Sequence, residues 1–196
     1  MHMDTKELFY SMLDRIGKDK VKGMIAYKPS SAINMLITEF NEYALRISRD
    51  YDEEKSTATL VTVLMHYMLT ECMIQSERKV TMNGIMLDIV IPTTRMLRTN
   101  AYNALIITIV NDPDLKVHLL ESVQPNKENI WLILPHKEYT SEFLDRIRYY
   151  KIYTLDNYIY KLSKLGIRIL GLSNIIDDIR EFLKSKGLKG LNILHS

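Results

Sequence analysis

The chain carries one cysteine, Cys72, so no disulfide can close within it, which suits a reducing, cytoplasmic setting. Glycine is scarce. None of the seven falls in a G-x-G-x-x-G or P-loop spacing, which argues against nucleotide hydrolysis. There is no G-x-S-x-G elbow and no Cys/His cluster with metal-ligand spacing. No apolar run reaches the roughly 18 residues of a membrane helix, and MHMDTKELFY brings charges too early for a signal peptide, so no membrane association is expected. An excess of one charge is also missing. Lys and Arg total 26 against 24 Asp and Glu, a net of +2, short of the strongly basic balance usual in a dedicated nucleic-acid binder. What asymmetry there is lies late in the chain. Residues 137–196 hold 11 basic and 7 acidic side chains, whereas residues 1–76 hold 9 and 11.

What is present is a globular composition, 46% hydrophobic, long enough for one real core. One domain is expected: a helical N-terminal layer over 1–55, a core over 56–134, and an α/β extension over 135–196. Helices are predicted over 4–16, from Pro29 onward, and over 56–75, the last apolar nearly all round and so central. The basic piece GKDKVKG between the first two reads as a solvated turn, with contact to phosphate as the alternative. After residue 104, strands and helices alternate, which predicts a parallel or mixed sheet with helices on both sides.

The stretch from Glu77 to Val110 carries most of the functional signal. Asn83-Gly84 is the preferred pair for a tight hairpin turn, because both positions need positive φ. The second arm, IMLDIVI, is apolar except for Asp88. An ionised carboxylate in such a strand costs several kcal/mol unless it is paired, hydrogen-bonded or metal-bound. Pro92 ends the arm, and a polar connection with Arg95 and Arg98 follows. Residues 103–110, NALIITIV, read as another strand.

A helix, a hairpin with an Asp in its second strand, and a following strand resemble the PD-(D/E)XK, or restriction-endonuclease-like, nuclease fold over roughly residues 56–134. The resemblance implies a mixed sheet flanked by helices, with carboxylates holding one or two Mg²⁺ or Mn²⁺ ions and a Lys orienting water at the scissile phosphate. Asp88 matches the family Asp, and Glu71 or Glu77 the helix Glu, so Asp88 and Glu71 are the expected metal ligands. The sequence departs from the pattern in the strand that should read acid-x-Lys. Thr108 stands at the acid and Val110 at the Lys. Weak metal affinity and lost catalysis follow as expectations. Asp112, Asp114 or Glu128 could restore an acid, and Lys79 the cation.

Each candidate has a plainer reading beside it. Asp88 can be a structural acceptor. Glu71 can pair with a nearby cation. His66 is expected to be a satisfied core or boundary histidine, Cys72 a buried inert thiol, and His136 an ordinary loop residue. The run from Arg146 through Arg148, Tyr149, Tyr150 and Lys151 to Tyr153 mixes cations and aromatics. Such a mix can stack bases and hold phosphates, or simply end a helix. The leading expectation is a nuclease-fold protein with a degraded site. It would bind nucleic acid through Arg78, Arg95, Arg98 and Arg148, or scaffold a repair or defence assembly. An active metal-dependent nuclease using Asp88, Glu71 and Lys79 is the second. A protein-interaction or regulatory domain with no nucleic-acid role is the third, and a protein partner or a homodimer is a default expectation beside all three.

Overall fold

The structure, a computed structural model, describes residues 4–47, 52–112, 117–164 and 166–188. Four helices come first: α1 (Thr5–Ile16), α2 (Lys18–Tyr27), α3 (Pro29–Ile47) and α4 (Glu53–Glu71). Asp4 opens α1 through a capping box, accepting from the Glu7 N–H while the Glu7 carboxylate accepts from the Asp4 N–H. The piece expected as a turn is helical instead. Gly17, at φ 96°, breaks the chain between α1 and α2, and Val21 and Ile25, one turn apart, are both buried. Gly23 inside α2 obscured this pattern in the sequence.

A six-stranded sheet follows in the order β1 (Glu77–Met82), β2 (Ile85–Ile91), β3 (Leu105–Ile109), β4 (Ile130–Leu134), β5 (Lys151–Thr154) and β6 (Ile169–Gly171). The β1–β2 and β2–β3 pairs are antiparallel, and β3 to β6 run parallel, as the alternation predicted. Every residue of β3 and β4 is buried, which requires cover on both faces. α4 packs against β3, and α3 packs against α9 (Ile175–Ser185). One apolar cluster runs from Leu8 in α1 to Leu183 in α9.

The connections are more ordered than the sequence suggested. The polar link after Pro92 is a short helix, α5 (Thr94–Thr99), capped by Thr93 Oγ1, which accepts from the Met96 N–H at 3.1 Å. Between β3 and β4 the described residues form one short α-helix, α6 (His118–Glu121), and residues 113–116 lie outside them. Gln124 and Asn129 each donate to carbonyls of the segment before β3: Gln124 Nε2 to Ala101 O and Ala104 O, both at 2.8 Å, and Asn129 Nδ2 to Tyr102 O at 2.8 Å. These bonds fix the entry to β3 against the entry to β4. At the other end of the sheet, Asp156 accepts from Ser173 N–H at 3.2 Å, from Ser173 Oγ at 2.6 Å and from Asn34 Nδ2 at 3.1 Å. Gly171 is required there, because an added Cβ would lie 2.6 Å from Asp156 Oδ1.

Candidate nucleic-acid site around Asp88

The hairpin register sets the chemistry. Arg78 pairs with Ile89 and Val80 with Leu87, so Lys79 stands opposite Asp88. The ladder between β2 and β3 ends with Ile89 opposite Ile107, so the same register carried one step further brings Asp88 level with Thr108. Residues directly opposite in antiparallel strands share a face, so Lys79, Asp88 and Thr108 form a row across three strands. The row lies toward the C-terminal end of β3, the end at which open α/β sheets place their sites.

Asp88 is largely enclosed, its side chain 14% exposed. One carboxylate oxygen, Oδ1, accepts from the Lys79 ammonium. The other, Oδ2, accepts from the Ile109 N–H at 2.9 Å. Lys79 sits at φ 51°, in the left-handed region uncommon for a residue with a side chain. Strained backbone of this kind persists only where its surroundings hold it, and the Asp88 ion pair is one such restraint. Thr108 is 5% exposed, and its hydroxyl is buried without a hydrogen-bond partner.

Glu71 ends α4 and does not join this row. Its carboxylate faces Lys22 Nζ of α2 at 3.7 Å. Glu77, the other candidate helix Glu, lies in β1 and is committed elsewhere. It accepts from Thr94 Oγ1 at 2.6 Å and from Thr94 N–H at 3.1 Å, tying β1 to the start of α5. Glu128 precedes β4, at the opposite end of the parallel strands. Asp112 follows β3 and has an interaction partner of its own, and Asp114 lies outside the described residues. Among the described residues no group of three acidic, His or Cys side chains could hold a metal ion. The described residues therefore do not by themselves fit the Mg²⁺ or Mn²⁺ site that the resemblance implied. A hard cation needs several oxygen ligands, and the one carboxylate here already has both oxygens engaged.

The arginines scatter. Arg95 and Arg98 are exposed on α5, past the end of β2, and neither forms an ion pair with Asp88. Arg78 turns against α4, its guanidinium donating to Thr70 Oγ1 at 2.7 Å, and burial lowers its pKa. Arg148 stands between α7 (Ser141–Ile147) and β5, its guanidinium 5.6 Å from the Tyr149 ring, at the far end of the sheet. His136 follows β4, and its backbone N–H donates to Tyr139 Oη at 3.1 Å. Cys72 is buried, and that burial pushes its thiol up to about 11, which makes it unreactive as expected.

His66 is the residue that the sequence undervalued. It lies on α4, and its Nε2 is buried without a partner. Burial first, then the nearby charges of Arg78 and Lys79, lower its pKa to about 4, with the Asp88 carboxylate acting in the opposite sense. The ring is therefore neutral at ordinary pH and close to the Lys79–Asp88 pair. The one hint available in the sequence was that His66 and Thr70 lie one turn apart on a largely apolar helix.

No family model and no curated protein matches the chain. Solved structures do. The restriction endonuclease PspGI in complex with substrate DNA is similar with a TM-score of 0.64 at 17% identity, over 93% of this chain and 94% of that one. Metal-depleted Ecl18kI in complex with uncleaved, modified DNA is similar with a TM-score of 0.63 at 13% identity, over 100% of this chain and 82% of that one. Metal-depleted Ecl18kI with uncleaved DNA gives 0.59 at 12% identity, again over 100% and 82%. The chain has a restriction-endonuclease-like fold.

Proposed function

We propose that this protein is a nuclease-fold nucleic-acid-binding protein whose metal-dependent catalytic site is degraded. The occupation of Asp88 carries the reading. Its two oxygens are engaged by Lys79 and by the Ile109 N–H, and its neighbour across the sheet is Thr108 rather than a second acid. A bare carboxylate in that place would repel phosphate. One neutralised by Lys79, with His66 uncharged, leaves Arg78 and the exposed Arg95 and Arg98 to contribute net positive charge. The solved structures similar in fold are complexes with DNA, which makes duplex DNA the first ligand to test. A role as scaffold in a repair or defence assembly, a cytoplasmic setting, and self-association into a homodimer belong to the same proposal.

One observation favours a second reading. Lys79 reaches the Asp88 carboxylate from β1, the opposite side from β3, where the resemblance expects the Lys. A catalytic lysine relocated to β1 would approach Asp88 from that side.

Cleavage and binding assays on single- and double-stranded DNA and RNA, with Mg²⁺ or Mn²⁺, separate the readings. The expected result is no cleavage by the wild type above an Asp88→Ala control, with duplex binding that falls steeply as salt rises. Cleavage that disappears in both Asp88→Ala and Lys79→Gln would establish the active nuclease instead. Absence of nucleic-acid binding at low salt would leave the protein-interaction reading.

A further inference from the structure

A pocket of about 270 Å³ opens between α1, α2, α4 and the start of β1. Lys18 and Lys22 of α2, Arg78 of β1, and His66, Tyr67 and Glu71 of α4 contribute to its walls. Lys18 pairs with Asp14 at 2.6 Å, outside the lining, and Lys22 reaches Glu71 only at 3.7 Å. With Lys18 held by Asp14, Lys22 and Arg78 are the two cations left facing the Glu71 carboxylate, a net charge of +1. Two lining residues hold buried polar atoms with no partner, His66 Nε2 and Tyr67 Oη. Tyr67 is only 8% exposed. Native proteins seldom leave such atoms unsatisfied, and an ordered water, or a ligand group admitted by a small side-chain shift, would complete their hydrogen bonding.

We infer that this pocket binds the phosphate of a phosphomonoester. An anion of that class has oxygens enough to accept from Arg78, from the Lys22 ammonium and from the Tyr67 hydroxyl together. An imidazole kept neutral by burial and by its cationic neighbours can donate through one ring nitrogen without adding a charge to be buried. The α2 helix is what brings the lysines here. Val21 and Ile25 anchor its inner face, and Lys18 and Lys22, one turn apart, share the face above the pocket. The volume exceeds that of a phosphate group alone, so part of the esterified molecule enters with it. The phosphate has two sources with the same chemistry: a small phosphorylated metabolite, or the phosphorylated end of a nucleic-acid strand. The inference does not rest on the proposed role of Asp88.

Calorimetric titration of the intact chain, in phosphate-free buffer, tests it with inorganic phosphate, adenosine 5′-monophosphate, and a matched pair of 5′-phosphorylated and 5′-hydroxyl oligonucleotides. Saturable binding of adenosine 5′-monophosphate is expected. Arg78→Gln should weaken it about tenfold or more, because one charge-assisted bond is worth at least that. Tyr67→Phe, which keeps the packing, should weaken it several-fold. Preference for the 5′-phosphorylated oligonucleotide would identify strand ends as the source. Equal binding of the two oligonucleotides, with nucleoside monophosphate still bound, would identify a small molecule, and both results uphold the pocket. No saturable binding of any phosphomonoester, or binding unchanged in both Arg78→Gln and Tyr67→Phe, would overturn it.

Discussion

Two clusters of polar side chains flank the sheet, and they are built on opposite principles. In the C-terminal part, where charge and aromatics suggested a nucleic-acid surface, the groups consume one another. Asp178 accepts from Tyr153 Oη at 2.6 Å and from Lys151 Nζ at 2.9 Å, and Lys151 lies 4.2 Å from the Trp131 ring centre. Glu121 likewise takes the Tyr150 hydroxyl and, at 2.8 Å, Lys127. Between α4 and β3 the reverse holds. Among the described residues, the four buried side-chain atoms without partners are His66 Nε2, Tyr67 Oη, Ser76 Oγ and Thr108 Oγ1, and all fall in this region. A satisfied network stabilises a fold. An unsatisfied one loses stability and is retained where a ligand repairs it. The contrast is what supports the proposed site at the α4–β1–β2–β3 face.

The strongest way to break this contrast is to damage the satisfied cluster. Asp178→Ala removes the acceptor of Tyr153, which is fully buried, and of Lys151. Unfolding by urea should show a loss of about 3 kcal/mol, since a buried hydroxyl and a partly buried ammonium both lose their partner. A loss below about 1 kcal/mol would show that the cluster is not structural.

Acid should act through the other cluster. The folded pKa of His66, about 4, lies below the ordinary value of 6.5. The unfolded chain therefore takes up the proton first, and this contribution to stability is complete above about pH 6.5 and lost as pH falls toward 4. At about 1.4 kcal/mol per pH unit, solvent contact at the ring brings the total down to roughly 2 kcal/mol. Stability measured across that window in phosphate-free buffer should be flatter for His66→Leu than for the wild type. Parallel curves would remove His66 from the argument.

The smallest effect is the most diagnostic, because one atom's chemistry changes sign between the clusters. Thr108→Val deletes an orphaned hydroxyl with little change of shape and should raise stability by about 1 kcal/mol. Tyr153→Phe deletes a bonded one and should lower it by about 1 kcal/mol. Thermal melts of the two variants beside wild type check both signs, and a destabilised Thr108→Val would mean that its hydroxyl has a partner.

Much of the fold was legible in the chain. Asn83-Gly84 announced the hairpin, the β-branched runs announced β3 and β4, and the late alternation announced the parallel half. Less of the site could be read. Asp88 stood out because a lone carboxylate in an apolar strand is costly wherever that strand lies. Its partner could not be found that way, because Lys79 meets Asp88 only through the hairpin register and an unusual φ. Glu71 was matched to the helix Glu of the fold, but α2 supplies Lys22 to it, and α2 looked like a loop.

Local periodicity and turn chemistry, which act over a few residues, are thus what this sequence determined by itself: the element order, the buried strands, and the isolation of Asp88. Which cation meets which carboxylate, which hydroxyl is left unpaired, and where cations converge on α4 were decided only by the tertiary structure. Those outcomes depend on side chains far apart in sequence sharing one desolvated space, where an unmade hydrogen bond costs more than any local preference supplies.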